Sequence, residues 1–125
     1  MLEQRDPLTD QVIGYAIKVH KTLGPGLLES AYEECLAYEL SKGELSFGRQ
    51  IHLPIVYEGV HLDSSYRVDF IVDNQLLIEL KSVEKLLPIH EAQILTYLRL
   101  SNCRVGLLMN FNEVTLKSGL KRFVL

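Results

Sequence analysis

Asp69 and Glu79 lie on either side of the turn signal Asp73-Asn74-Gln75, with Lys81 two residues beyond Glu79. The flanking stretches, Tyr66 to Val72 and Leu76 to Ser82, read as β-strands. A loop formed by residues 73–75 sets Val72 against Leu76, and counting back sets Asp69 opposite Glu79 and Arg67 opposite Lys81. Cross-strand neighbours hold their Cβ atoms about 4.5–5.5 Å apart. Two carboxylates at that spacing repel unless a cation lies between them or one carries a proton. Magnesium takes one or two carboxylates and completes its shell with water and phosphate oxygens, so the pair suits it. Lys81 shares their face, where an ammonium could orient or help deprotonate a metal-bound water and balance charge on a pentacovalent phosphate. The chemistry this set supports is attack of a metal-activated water on a phosphodiester. The alternative is a salt-bridged polar face in which Arg67 and Lys81 neutralise the two acids. On the first reading, removing one carboxylate raises the melting temperature of the metal-free protein slightly; on the second it lowers it.

The elements that must position these residues follow from periodicity. Val12, Ile13, Ala16, Ile17, Val19 and Leu23 recur at helical spacing from about Thr9 to Leu23, with Thr9 or Asp10 as N-cap. Gly24-Pro25-Gly26 breaks that helix, and Gly26 answers a backbone demand there. A second helix is expected from about Leu27 to Ser41, with Leu28, Ala31, Tyr32, Cys35, Leu36 and Leu40 inward and Gly43 ending it. The period then changes. Ile51, Leu53, Ile55 and Tyr57 alternate as one strand, and Glu58-Gly59 reads as a turn. On the next strand Val68, Phe70 and Val72 share one face, with Arg67, Asp69 and Ile71 on the other. On the third, Leu76, Ile78 and Leu80 oppose Leu77, Glu79 and Lys81. A helix from about Ile89 to Leu100 follows Pro88, Arg104 to Met109 reads as a fourth strand, and Val114 to Val124 is either strand or short helix. The order predicts a single domain over residues 1–125. It is α/β, with a mixed central sheet (a three-strand meander plus at least one further strand) flanked by helices. The strands are strongly apolar, which implies that both sheet faces are covered, and buried charges need partners.

Bulk composition agrees with one globular core. The chain has 125 residues, 47% hydrophobic and 23% charged. No apolar run approaches the roughly 18 residues that span a bilayer, and MLEQRDPLTD lacks the order of a secretory signal, so a cytoplasmic protein with no membrane partner is expected. Cys35 and Cys103 are too far apart in sequence for a CxxC motif and read as small buried hydrophobes. Net charge is −3, but it is unevenly spread. Residues 1–75 hold 6 Lys and Arg against 12 Asp and Glu, and residues 76–125 hold 7 against 4. That split suggests a localised basic face or unevenly solvated helices. Lys85, Arg99, Arg104, Lys117, Lys121 and Arg122 are the candidates for phosphate contacts, or a solvated surface.

Asp69, followed by Glu79-Leu80-Lys81 on the next strand, resembles the PD-(D/E)xK nuclease superfamily, and the order helix, three strands, helix, strand is similar to that superfamily's core. Gln93-Ile94-Leu95-Thr96-Tyr97 resembles the QxxxY motif of its RecB-type exonuclease branch. Gly26-Leu27-Leu28-Glu29-Ser30-Ala31-Tyr32, preceded by Val19-His20-Lys21 and Gly24-Pro25-Gly26, resembles the signature of the small bacterial GxxExxY proteins. The leading proline is absent, since Val68 precedes Asp69. The resemblance implies a PD-(D/E)xK nuclease-like core, Asp69 and Glu79 as metal ligands with the Leu80 carbonyl, and Lys81 as catalytic lysine. It also implies Glu29 as a further metal or water-shell ligand, and Gln93 and Tyr97 as residues touching substrate backbone or Lys81. The cofactor implied is Mg2+, with Mn2+ as substitute, and no iron–sulfur centre. Each has a plainer reading: Glu29 as a carboxylate favoured in a first helical turn, Gln93 and Tyr97 as an ordinary pair one turn apart, His20 as a core-edge residue rather than a ligand. Two functions therefore stand side by side. One is a magnesium-dependent nuclease acting on nucleic acid, DNA ahead of RNA. The other is a nucleic-acid-binding or protein-interaction module that keeps the fold with little chemistry. A subunit that needs a homodimer or protein partner is a third.

Overall fold

The computed structural model describes residues 6–62 and 66–125; the first five residues of the MLEQRDPLTD opening lie outside these. Three helices, α1 (Pro7–Leu23), α2 (Glu29–Lys42) and α3 (Pro88–Ser101), cover a five-stranded mixed sheet. Its strands are β1 (Phe47–His52), β4 (Arg67–Val72), β5 (Leu76–Lys81), β6 (Val105–Asn110) and β7 (Leu120–Val124), in the order β1-β4-β5-β6-β7. Two short strands, β2 (Ile55–Tyr57) and β3 (Val60–Leu62), form a separate hairpin. The meander β1-β4-β5 is antiparallel, β6 joins β5 in parallel after the α3 crossover, and β7 returns antiparallel to β6.

Both sheet faces are covered, as the apolar strands imply. Val12, Ala16, Tyr32, Leu36 and Leu40 from α1 and α2 pack with Phe70, Val72, Leu76, Ile78 and Leu80. On the other face Ile94, Tyr97 and Leu98 of α3 pack with Leu77 and Leu108. β5 is therefore sandwiched between two cores, and the polar groups it carries are withdrawn from water.

Several expectations need correction. The cap of α1 is Asp6, whose carboxylate accepts the Thr9 amide at 2.8 Å and the Thr9 hydroxyl at 2.9 Å. Pro7, with its fixed φ and missing N–H, opens the helix earlier than the apolar pattern suggests. Leu28 occupies the N-cap position of α2, 78% exposed, rather than its inner face. Gly43 does end α2, but with φ −79; a Cβ there would collide with the Tyr15 hydroxyl, and Glu44 takes the left-handed turn at φ 60. The single strand expected from Ile51 to Tyr57 is two. Pro54, which has no N–H for a ladder, separates β1 from the hairpin, and Leu53 N donates instead to Tyr66 O at 2.9 Å. The Glu58-Gly59 turn joins β2 to β3 with φ 48 and 79, the primed geometry that short hairpins favour. Val68 packs with the α3 core while Phe70 and Val72 face α1 and α2. The alternation slips at Asp69, across from which Gln50 holds φ 50. Residues 114–124 contain both expected elements, a 3₁₀ turn (Leu116–Gly119) and then β7.

Candidate active site

The turn after β4 sets Val72 against Leu76, with Asp73 and Asn74 at φ 53 and 55. The ladder runs through Phe70 and Ile78 and ends there. One step farther the strands exchange side chains in place of backbone bonds: Asp69 N donates to Glu79 Oε1 at 2.9 Å, and Leu80 N donates to Asp69 Oδ2 at 2.7 Å. Each carboxylate thus satisfies an amide of the opposite strand that the ladder has abandoned. Asp69 and Glu79 face one another as the register count requires, in an interlock rather than as a simple ladder pair. Lys81 Nζ lies 4.0 Å from Glu79 Oε2. Arg67 pairs with His52 of β1 and is exposed; the ladder does not carry it opposite Lys81.

Burial governs the electrostatics. Glu79 is only 6% exposed. Desolvation pushes its carboxyl up to about 8, with the charge of Asp69 adding to the shift and the Asp69 amide and Lys81 opposing it. Asp69 is raised as well, again mainly by burial, against the pull of the Leu80 amide and Gln50. Without a cation, Glu79 therefore keeps a proton at neutral pH, one of the two ways such a pair relieves its repulsion. Tyr97, 6% exposed, has its hydroxyl raised by burial and by the charges of Glu79, Tyr66 and Asp69, so it lies within reach of the acids' field. Gln93, one turn earlier on α3, lines with Tyr97 a groove of about 280 Å³ that also includes Ile55, Tyr66, Ile89 and Thr96.

Glu29 begins α2 and is exposed, yet its charge contributes to the upward shift of both acids. The loop before it is firmly held. Tyr32, fully buried and stacked on Phe111 at 4.6 Å, donates its hydroxyl to Gly24 O at 2.6 Å and accepts from Leu27 N at 3.1 Å. Ser82, just past β5, donates to Leu27 O at 2.6 Å, and Gly26, at φ 101, donates to Asn112 Oδ1 at 3.1 Å.

Among the described residues, no three His, Cys, Asp or Glu side chains gather closely enough to cage a metal. A buried carboxylate, Glu79, and a half-buried one, Asp69, remain, joined by a backbone oxygen. Lys81 O bonds to Phe111 N on the β6 side while Leu80 N points to β4. Successive residues of a strand address opposite edges, so the Leu80 carbonyl is directed into the gap where β4 and β5 separate. Oxygen-only donors with open positions fit magnesium and its water-rich shell, and lack the nitrogen and sulfur ligands that select zinc.

The chain as a whole matches the family model of the PD-(D/E)XK nuclease superfamily over residues 6–123. The chain belongs to that superfamily. Its five-stranded mixed sheet with flanking helices is a PD-(D/E)XK nuclease-like fold. No curated protein and no solved structure gives a significant match. Against the PD-(D/E)XK pattern, two further polar groups stand out that sequence reasoning missed. Gln50 reaches Asp69 Oδ1 at 3.1 Å; it lay just outside the strand expected from Ile51. Asn110, fully buried at the end of β6, accepts Val83 N at 3.1 Å and donates to Val83 O at 2.9 Å, fixing the chain beyond Lys81. A polar residue closing an apolar strand was its only signal.

His20 is a core-edge residue, buried, with Nε2 2.8 Å from Glu113 O. Cys35 and Cys103 are free thiols, half-buried and buried. Arg99 Nη2 donates to Thr96 Oγ1 at 3.1 Å, on the α3 groove, but four of the other basic residues are engaged elsewhere. Lys121 pairs with Glu91 at 2.6 Å, and Arg104 and Arg122 line a hollow with Asp6 at the opposite end of β5. Lys117 lines another beside His20.

Proposed function

We propose that this protein is a magnesium-dependent phosphodiesterase acting on nucleic acid, with Asp69, Glu79 and the Leu80 carbonyl as the protein ligands of the ion. The observation that carries the reading is the partly buried interlock of Asp69 and Glu79 with Lys81 4.0 Å away. Two crowded acids held out of water are costly to charge, and a divalent cation removes that cost. When bound, the ion would supply a Lewis acid that polarises the phosphate and acidifies a coordinated water. The chain's own residues do the rest. Asp69 and Glu79 are held rigidly by the amides they accept, so the oxygens that face the gap are fixed. Lys81 places a positive charge beside them, where negative charge grows on the phosphate during attack. Glu29, exposed at the start of α2, would help hold the ion, directly or through water. Gln93 and Tyr97 meet the substrate backbone along the groove of α3. The Gly26-Leu27-Leu28-Glu29-Ser30-Ala31-Tyr32 and Gln93-to-Tyr97 motifs support placement with the GxxExxY proteins and the RecB-type branch. DNA is the favoured substrate, Mn2+ replaces Mg2+, and the protein works in the cytoplasm.

Calorimetric titration with Mn2+ on the wild type and on Asp69→Ala tests the ion site. Binding is expected in the wild type and absent in the variant; equal binding in both defeats the assignment. A cleavage assay on single- and double-stranded DNA and RNA follows, with Lys81→Ala losing activity at least a hundredfold. Activity that survives this change removes Lys81 from the chemistry, and a wild type that binds nucleic acid without cutting it favours the binding module.

A further inference from the structure

We propose that Gln50 is a positioning residue that fixes the carboxylate of Asp69 and ties it to α2. It deepens the reading above, since the functional consequence rests on Asp69 as a ligand. Gln50 Nε2 donates to Asp69 Oδ1 at 3.1 Å and to Glu33 Oε1 at 2.6 Å. A primary amide nitrogen has two hydrogens, and here one goes to each carboxylate. The opposite amide orientation would set a carbonyl oxygen against two acids, so the contacts themselves fix it. Glu33 is in turn gripped by Arg49, whose Nη2 lies 2.8 Å from Oε2 and reaches Glu34 at 2.7 Å. The chain Arg49–Glu33–Gln50–Asp69 therefore runs from the surface of α2 into the site, and Glu29 lies one helical turn before Glu33.

The backbone supports the same role. Gln50 holds φ 50 in the middle of β1, a conformation that a non-glycine residue adopts rarely and only when its surroundings require it. Its neighbours pair normally, Arg49 with Phe70 and Ile51 with Val68, so the distortion is confined to the position across from Asp69. It brings the Gln50 side chain to both acids. A neutral amide does this without adding charge. A lysine or arginine could bridge the same carboxylates but would lower the negative potential that draws a cation, and a glutamate would add to the repulsion.

Two readouts test this. Amide hydrogen exchange needs no metal: Leu80 N–H is held by Asp69 Oδ2, so freeing Asp69 should expose it. In Gln50→Met the Leu80 amide is expected to exchange about tenfold faster, while amides of α1 and those of Phe70 and Val72 keep their wild-type rates. Mn2+ affinity should fall by roughly 10- to 100-fold. Gln50→Lys is expected to restore protection of Leu80 but not the affinity, a split that a merely structural residue would not give. Gln50→Asn, whose side chain is too short to reach both acids but tolerates the left-handed backbone, repeats the exchange test should Gln50→Met not fold. Unchanged Leu80 exchange in these variants overturns the proposal, as does acceleration spread equally over β4. A wild type that binds no Mn2+ while Leu80 still responds leaves positioning intact and removes the metal reading instead.

Discussion

Glu79 is where burial and charge meet most directly. Burial pushes its carboxyl up to about 8 in the folded protein, from 4.5 for a glutamate in water. As the pH rises between those values the unfolded chain gives up this proton and the folded chain keeps it, so stability falls. The contribution of neutral Glu79 is complete below about 4.5, drains away between 4.5 and 8, and is gone above 8. A glutamine at this position still accepts the Asp69 amide and never ionises. Glu79→Gln in chelator should therefore match the wild type in unfolding free energy at pH 5 and exceed it at pH 8 to 9 by on the order of a few kcal/mol, with a higher melting temperature there. Parallel melting curves across that range would mean that Glu79 is not buried as described. The relief expected from deleting a crowded acid thus belongs to the amide replacement. Asp69→Ala would also strip the acceptor from Leu80 N, and that loss opposes the gain. Sequence alone placed Asp69 and Glu79 face to face, because a period of two and a countable turn fix the register. It could not disclose that each holds the other's strand amide, since this depends on where the ladder ends.

At the level of elements, the loop between α1 and α2 shows what pattern reading can and cannot reach. Helical spacing put Tyr32 on the inner face of α2, and it is fully buried there. Its hydroxyl bonds, to Gly24 O and Leu27 N, involve backbone groups whose positions no periodicity encodes. These bonds, with Ser82 on Leu27 O, hold the segment that delivers Glu29. Tyr32→Phe keeps the ring and its stacking on Phe111 but abandons two partly buried backbone groups. It should lower stability by about 1–3 kcal/mol, read by urea unfolding, and weaken the site through Glu29. A stability within error of the wild type would show that water replaces the hydroxyl without loss. The split at Pro54 has a related origin. Alternation continued across it in the sequence, and only the missing N–H of proline argued for a break. The Val68 reversal had no sequence signal; it lies beside Asp69, across from which Gln50 holds a left-handed backbone.

For the whole molecule, the excess of basic residues after Leu76 suggested a basic face, and the fold carries four of them, Arg104, Lys117, Lys121 and Arg122, to other places. Arg104 and Arg122 lie at the far end of β5 from Lys81, Lys117 lies beside His20, and Lys121 is engaged by Glu91. Arg49, in the acidic half, is committed to Glu33 and Glu34. Composition fixes how many charges a chain has, but the crossover and the edge strand decide where they sit, and β7 carries Lys121 and Arg122 to the outer edge of the sheet. Near the acids Lys81 is the cation the structure brings close. A nucleic acid seated at this site would therefore displace few counterions. Each neutralised phosphate contributes a slope of about −0.9 in log affinity against log salt on duplex DNA. With one or two such contacts, affinity for a short duplex should fall by about tenfold or less between 50 and 200 mM salt. Fluorescence anisotropy with a labelled duplex, in Ca2+ to hold the acids without cleavage, measures it. A fall of about a thousandfold would mean that six or more cations engage the backbone, and the substrate path would then have to run from the acids to the Arg104 and Arg122 end of the sheet.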